Sequence, residues 1–405
     1  MTVNVSKPVV NVREKLAELD KPTSLAGEAM LRAETPQEQF NLIGAGRRNF
    51  IINGNVNVHQ RGDQTAVTAG GTYGPDRWRW ALGGGTGFAV DLEQSTDAAD
   101  GFEHSLKVTV SSPRTSTSSD EYTGITTLLE VQDAYPLLWN NPLNSFTLSF
   151  WVKSSIATTY IINFNPDATD SGGSGDRVLY HALYTINTPN TWEYKTVTVN
   201  TGFLEAYALK SSYISENIGL EVSFVLEVTS GGVRDDAVLG WNNPSTEARN
   251  MVTSSRGADT GFMDTDAATW QITGVQLELG KVATPFEYRR HGEELALCQR
   301  DYYRIAEGGN PRETGTGYFN TTTTAVLVIP FPVEMRATPE FDYSSLTHLD
   351  IEPFDDQPNA ISLSSTANNQ RAVLAVTSPY ARTQGNAAAM LIDTSGGYIE
   401  FDAEL

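Results

Sequence analysis

Short runs in which apolar and polar residues alternate recur through the middle of the chain, and they limit its fold more than any other feature. A period of two places successive side chains on opposite faces of a β-strand. Loops rich in Gly, Ser, Asp and Asn separate the runs. The pattern predicts strands with one face on a shared core, and hence a β-sandwich of the jelly-roll type. The runs lie at residues 50–52, 105–110, 146–152, 194–199, 221–228 and 270–279.

The carboxy-terminal part predicts a second, smaller β-sandwich domain. Several of its strands are apolar on both faces, which favours burial between subunits. We therefore expect a homotrimer in which residues 291–405 hold the copies together. Apolar runs that predict these strands lie at residues 325–329, 372–376, 388–392 and 398–401.

The amino end, residues 1–48, predicts short helices. Val12, Leu16 and Leu19 fall at i, i+4 and i+7 and form one thin apolar stripe. Helices with so little apolar surface are not stable alone. The segment must therefore contact copies of itself or another protein, and the alternative is a flexible leader. With residues 49–290 as the larger sandwich, this gives three predicted segments in a mainly β chain.

Charge and cysteine content exclude several classes of protein. The net charge of −21 over 405 residues argues against binding nucleic acid or an anionic membrane through bulk electrostatics. Cys298 is the one cysteine, so no disulfide forms within the chain, which fits folding in a reducing cytoplasm. Neither a signal peptide nor an apolar run of membrane-spanning length is present, so we expect a soluble product without membrane insertion.

A junction between two domains is predicted where the larger sandwich ends. The strand VQLELG is followed by KVATPFE, and GEELALCQRDYY then begins a helix with Glu293 and Glu294 at the positive end of its dipole. The amino-acid sequence of this segment resembles a junction in tailed-phage virion proteins of the tail-fibre and head-fibre type, except that Asp301 is inserted before the paired tyrosines. The resemblance implies a component of a virus particle, anchored through residues 1–48.

The larger sandwich carries a second resemblance. The segments that carry it are, in order along the chain, Asn53-Gly54, Gln60-Arg61-Gly62, Asp76-Arg77-Trp78, SFWVKSS at 149–155 and TWEYKTVTV at 191–199. They resemble the carbohydrate-binding jelly rolls appended to phage fibres. FPVEMRATPEF at 331–341 and the final FDAEL are similar to the domains that follow the same junction. The resemblance implies an appendage that recognises host glycans.

A repeated Trp-Asn-Asn-Pro phrase supplies the candidate carbohydrate-binding residues. An indole face suits the C–H groups of a sugar, and amides suit its hydroxyl groups. The alternative, which is the more economical, is that each indole only covers a turn. The candidate residues are Trp139, Asn140, Asn141, Trp241, Asn242 and Asn243. Four other tryptophans are predicted to lie in the core: Trp78, Trp80, Trp151 and Trp270.

No cofactor is expected, and catalysis finds little support. Asp167, Asp170 and Asp176 lie in one Gly- and Ser-rich loop and could bind calcium, but they lack the spacing of a known calcium loop. The five histidines are scattered without metal-ligand spacing. We therefore expect a structural protein and not an enzyme.

Three functions remain open at this point. The preferred one is a fibre- or knob-like appendage of a tailed-phage virion, made in the host cytoplasm, which contacts surface glycans. The alternative is a capsid or tail decoration protein without a receptor role. A polysaccharide depolymerase comes third, because a trimer can place two carboxylates across subunits.

Overall fold

A computed structural model describes most of the chain after the amino end. The described residues are 48–84, 87–115, 122–138, 145–166, 179–201, 218–228, 240–242, 260–306, 312–393 and 396–405. The predicted anchor with Val12, Leu16 and Leu19 lies outside them, as do the aspartates of the candidate calcium loop.

The described residues are mainly β. They contain two α-helices, α1 (Val131–Leu138) and α2 (His291–Gln299), and a 3-10 helix at Leu346–His348. The strands are β1 Gln64–Val67, β2 Arg79–Gly83, β3 Ala89–Ser95, β4 Ser105–Ser112, β5 Tyr122–Glu130, β6 Ser145–Ser154, β7 Thr159–Asn165, β8 Leu179–Thr185, β9 Glu193–Asn200, β10 Ile218–Val228, β11 Gly240–Asn242, β12 Thr269–Leu279, β13 Tyr302–Ala306, β14 Arg312–Phe319, β15 Thr324–Pro330, β16 Glu340–Tyr343, β17 Leu349–Glu352, β18 Ala360–Leu363, β19 Arg371–Thr377, β20 Ala387–Ile392 and β21 Tyr398–Asp402.

Two six-stranded sheets form the predicted sandwich. The first sheet has the order β1-β3-β4-β12-β6-β9, and the second sheet has the order β11-β8-β7-β10-β5-β2. Their strands pair antiparallel throughout. The sheets share one apolar core, in which Phe150 of β6 meets Phe224 of β10 edge to face at 5.1 Å between ring centroids. This arrangement confirms the predicted β-sandwich.

Strand alternation explains which tryptophans reach this core. Trp78, Trp80 and Trp270 are fully buried, as predicted. The prediction for Trp151 was wrong, because Phe150 and Val152 on either side of it already face inward and successive side chains of a strand alternate. Trp151 is instead half-buried on the outer face of the first sheet.

Two further sheets follow α2 and share a second core. The third sheet has the order β13-β21-β16, and the fourth sheet has the order β17-β20-β14-β15-β19-β18. The four predicted apolar runs coincide with β15, β19, β20 and β21. Residues 49–405 form one compact unit, and the proposed division at residue 290 stays a prediction.

A buried ion cluster joins the sandwich to the sheets that follow it. Arg77, which precedes β2, lies 3.0 Å from Asp301 and 2.5 Å from Glu404. Arg61 lies 3.3 Å from Glu404, and its guanidinium stacks 3.5 Å above the ring centroid of Tyr302. Burial, with Glu404 nearby, raises the pKa of Asp301 to about 7, although Arg77 opposes the shift. Asp301 is therefore part of the connection between the two halves.

Within the described ranges, no helix has both the length and the apolar character needed to cross a membrane.

Candidate functional site

A pocket of about 190 Å³ lies on the outer face of the second sheet, away from the core. Its side follows from alternation: Val222 and Phe224 of β10 face the core, so Glu221 and Ser223 face outward. The pocket extends across β2, β5, β10 and β7. Its described lining residues are Gly71, Arg79, Trp80, Ala81, Leu82, Tyr122, Asn163, Asn165, Glu221 and Ser223.

A row of polar side chains crosses the floor of this face from strand to strand. The paired positions are Arg79, Thr126, Ser223, Asn163 and His181, on five neighbouring strands. The hydroxyl groups of Thr126 and Ser223 lie 3.1 Å apart. All of these side chains except Arg79 are buried, so the row forms a polar layer with little solvent exposure on the outer face of the sheet.

Glu221 and Asn165 form a second polar row beside the first. The carboxylate of Glu221 accepts a hydrogen bond from Ser223 Oγ at 3.0 Å and a longer one from Asn165 Nδ2 at 3.5 Å. Hydroxyl, amide and carboxylate groups therefore converge within two adjacent strands. Together they offer both donors and acceptors to a ligand.

His181 holds one of these amides in position. Burial lowers the pKa of His181 to about 4, so the ring is neutral near pH 7. Its Nδ1 lies 2.6 Å from Asn163 Oδ1. Because an amide oxygen only accepts hydrogen bonds, Nδ1 carries the proton and donates it. This contact fixes which way the Asn163 amide turns.

Tyr122 forms an aromatic wall at one end of the pocket. Its ring lies across β2 over Gly83, where an added Cβ atom would come within 2.1 Å of Tyr122 Cε1. Glycine is required there because any side chain would displace the ring. The ring also packs beside Ile161 and Val225, which are buried on the same outer face.

Of the predicted sugar-binding residues, the structure describes Trp241 and the backbone of Asn242, and neither is among the described lining residues of this pocket. Trp241 lies in the edge strand β11 and not in a turn, and it packs edge to face on Tyr180 at 5.2 Å on the core side of the second sheet. Its Nε1 donates to the carbonyl oxygen of Asn200, and Asn242 pairs through its backbone with Leu179. Three further candidates, with the remaining amide, lie outside the described residues: Trp139, Asn140, Asn141 and Asn243. Sugar binding by either phrase stays a prediction.

The residues that line the pocket were missed from sequence. The available signal was the run Ile161-Ile162-Asn163-Phe164-Asn165, in which both outward positions after Ile161 are amides. A strand with amides on its outer face can bind a ligand or simply face solvent. Ligand binding becomes possible because this strand, β7, lies between β10 and β8 in the sheet.

Metal-binding side chains do not gather in groups of three or more within the described ranges. The candidate calcium ligands Asp167, Asp170 and Asp176 lie beyond those ranges.

No protein-family model matches the chain, and no curated protein sequence matches it. Among solved structures, the enzymatically active domain of tailspike protein 4 of bacteriophage CBA120 superposes with a TM-score of 0.27 and 14% identity, covering 57% of this chain and 21% of that chain. The match thus takes in about a fifth of the tailspike chain.

Carbohydrate-binding modules are also among the similar structures. A family 11 module of a cellulosomal cellulase of Clostridium thermocellum has a TM-score of 0.27 and 12% identity, covering 54% of this chain and 96% of that chain. TmCBM61 in complex with β-1,4-galactotriose has a TM-score of 0.26 and 10% identity, covering 57% of this chain and 98% of that chain. At these TM-scores the likeness establishes neither the fold nor the function of this chain.

Proposed function

We propose that this chain is a structural component of a tailed-phage particle, a fibre- or knob-like appendage that contacts host-surface glycans. The observation that carries the glycan part is the polar pocket on the outer face of the second sheet. The sequence resemblance at the junction and in the larger sandwich supports the virion part.

The chemistry of the pocket suits a polyhydroxylated ligand. Sugar hydroxyl groups both donate and accept, and the pocket offers the carboxylate of Glu221, the hydroxyl of Ser223 and the amide of Asn165 side by side. The Tyr122 ring offers a face for the C–H groups of a sugar. A small number of placed polar groups beside an aromatic surface is the usual composition of a small-ligand site.

Binding explains this pocket better than glycoside hydrolysis does. Glycosidases use two carboxyl groups on opposite sides of the scissile bond. Among the lining residues that the structure describes, Glu221 is the one carboxylate. Binding without catalysis therefore requires nothing beyond the groups already in place.

The alternative function is a decoration protein of the capsid or tail without a receptor role. The junction resemblance supports both functions equally, since it concerns how the chain is joined and not what it binds. A polar pocket with an aromatic wall favours the receptor role, because a surface that only contacts neighbouring subunits does not need one.

The decisive experiment compares two glutamate substitutions in the full-length chain. Glu221→Ala removes a pocket acceptor, whereas Glu313→Ala removes an exposed strand glutamate of the fourth sheet. Losing hydrogen bonds to a charged group costs about 1.5–3 kcal/mol, so Glu221→Ala should bind glycans and host cells about 10-fold or more weakly. Glu313→Ala should bind normally. Equal binding by the two variants, both with unchanged melting temperatures, would remove the pocket from the proposal.

We further propose that the protein assembles as a homotrimer and joins the particle through residues 1–48. The outer face of the fourth sheet supports self-association, because Tyr318 and Val328 are exposed there on neighbouring strands. Native mass measurement of the full chain should give three copies, and a stable monomer at micromolar concentration would contradict the trimer. Deletion of residues 1–46 should prevent incorporation into particles, and normal copy number in that variant would contradict the anchor.

A further inference from the structure

Three arginines lie near Tyr73, next to the pocket, and the guanidinium of Arg61 stacks 4.8 Å from the centroid of its ring. Burial raises the pKa of the Tyr73 hydroxyl most, and Arg61, Arg77 and Arg79 all lie close enough to oppose that rise. Arg79 also forms a backbone bridge with Tyr73. The three guanidinium groups therefore belong to one small region at the β2 edge of the second sheet.

The three differ in whether their charge is balanced. Arg61 and Arg77 are buried and each contacts two carboxylates. Arg79 pairs with no carboxylate among the residues that the structure describes, and it is the one of the three that lines the pocket. The carboxylates that balance the other two are Asp301, Asp402 and Glu404.

The pocket therefore has two chemically distinct ends. Arg79 lies on β2, and Glu221 lies two strands away on β10, with β5 between them. Neighbouring strands are about 4.8 Å apart, and Glu221 lies two residues along β10 from the position level with Arg79, so the two positions are separated by roughly 12 Å. An acidic ligand would be attracted by Arg79 and repelled by Glu221, which fixes the direction in which it lies.

We propose that the pocket selects an acidic sugar, whose carboxylate is bound by Arg79 while its hydroxyl groups meet Glu221 and Ser223. The planar guanidinium group binds a carboxylate through two parallel hydrogen bonds between opposite charges, and the hydroxyl groups of a neutral sugar carry no such charge. A chain with a net charge of −21 repels polyanions in general, so recognition of an acidic glycan needs such a local cation. This inference rests on the proposed glycan-binding role of the same pocket.

The test measures the full-length protein on an array of matched sugar pairs. The probes are glucuronic acid with glucose, galacturonic acid with galactose, and N-acetylneuraminic acid with its carboxyl-reduced form. The unmodified protein should bind the acidic member of at least one pair about 10-fold or more tightly than the neutral member. Equal binding of both members would overturn the acidic preference and leave glycan binding intact, whereas no binding to any probe would overturn both.

Substitutions then assign the preference to one side chain. Arg79→Gln should lose the preference for the acid and bind the neutral member unchanged, and Arg79→Lys should keep part of it because the charge remains. Arg371→Gln, at an exposed strand arginine of the fourth sheet, is the matched control and should behave as the unmodified protein. Full retention of the preference in a folded Arg79→Gln variant would refute the role of Arg79.

Discussion

Glu404 should be the side chain whose loss most weakens the connection between the sandwich and the sheets that follow it. Its carboxylate contacts Arg77 at 2.5 Å and Arg61 at 3.3 Å, and its side chain is 4% exposed. Removing one partner of a buried ion pair costs about 3–5 kcal/mol, because the other charge stays buried. Each arginine keeps a second carboxylate, Asp301 or Asp402, so we expect Glu404→Ala to cost about 3 kcal/mol, at the lower end of that range.

Asp402→Ala provides the matched control. Asp402 contacts the same Arg61 at 3.0 Å, but its side chain is 42% exposed. Because Asp402 is largely hydrated and Arg61 keeps Glu404, we expect a loss of about 0–1 kcal/mol, as for a surface ion pair, so this variant should unfold almost as the unmodified protein does. The comparison separates loss of a buried partner from loss of a negative charge at the same end of the chain.

Urea unfolding followed by two signals measures the effect. All seven tryptophans lie in residues 49–290, so their fluorescence reports the sandwich, while circular dichroism reports every sheet. With a urea dependence of about 3 kcal/mol per molar, the upper value for small proteins, a loss of about 3 kcal/mol lowers the midpoint by roughly 1 M. The two signals should also separate in Glu404→Ala if the cluster couples the two halves. Identical midpoints for Glu404→Ala and Asp402→Ala would refute the reasoning.

Three further predictions follow from single contacts. The pKa of Asp301 is about 7 in the folded protein and 3.8 ordinarily, so folding favours the protonated form and stability falls as the pH rises from about 4 to 7. Asp301→Asn should therefore reduce the fall in urea midpoint between pH 5 and pH 8. An unchanged fall in that variant would contradict the prediction. Gly54→Ala should destabilise strongly in thermal unfolding because its Cβ would lie 2.1 Å from the carbonyl oxygen of Val275, whereas Gly292→Ala in α2, with open space around it, should be neutral or stabilising by up to about 1 kcal/mol. If the Trp241 indole covers the edge of the core, Trp241→Ala should lower the melting temperature, and host adsorption should fall only as far as the folded fraction falls. If the indole binds sugar, the variant should lose adsorption at an unchanged melting temperature.

Five of the six runs predicted in residues 49–290 became strands, because alternation is a local property of the sequence, whereas the run at 50–52 lies outside every strand. The pocket was not predictable, because the order of strands in a sheet is not a local property. The runs at 146–152 and 221–228 became β6 and β10, and the junction became β12 followed by α2. The pocket requires β2, β5, β10 and β7 to be neighbours in the sheet. These strands are far apart in the sequence, since their lining residues run from Arg79 to Ser223. Alternation also gives no means of knowing which outward-facing amides share a surface. The prediction for Trp151 was wrong because the inward positions of β6 belong to its neighbours Phe150 and Val152.

The junction resemblance acquires a physical explanation in the hydrogen bonds of its own residues. Glu278 accepts from the backbone and hydroxyl of Thr284 at 2.8 and 2.7 Å, which turns the chain back after β12. Gln276 then accepts from the backbone of Glu287 at 2.8 Å. The Gln, Glu, Thr and Glu of VQLELGKVATPFE are therefore the groups that close the end of the strand.

Other residues of the junction form hydrogen bonds with the start of the sandwich. Asn49 accepts from the backbone of Leu277 at 3.0 Å and donates to the carbonyl oxygen of Val275 at 3.0 Å. Glu294, in the first turn of α2, accepts from the backbone of Asn53 and from Arg289 at 3.1 Å. These residues thus close the sandwich and join it to α2 and the sheets that follow. They carry no information about the ligand, so the case for glycan recognition depends on Arg79, Glu221 and their neighbours, where the substitutions above can decide it.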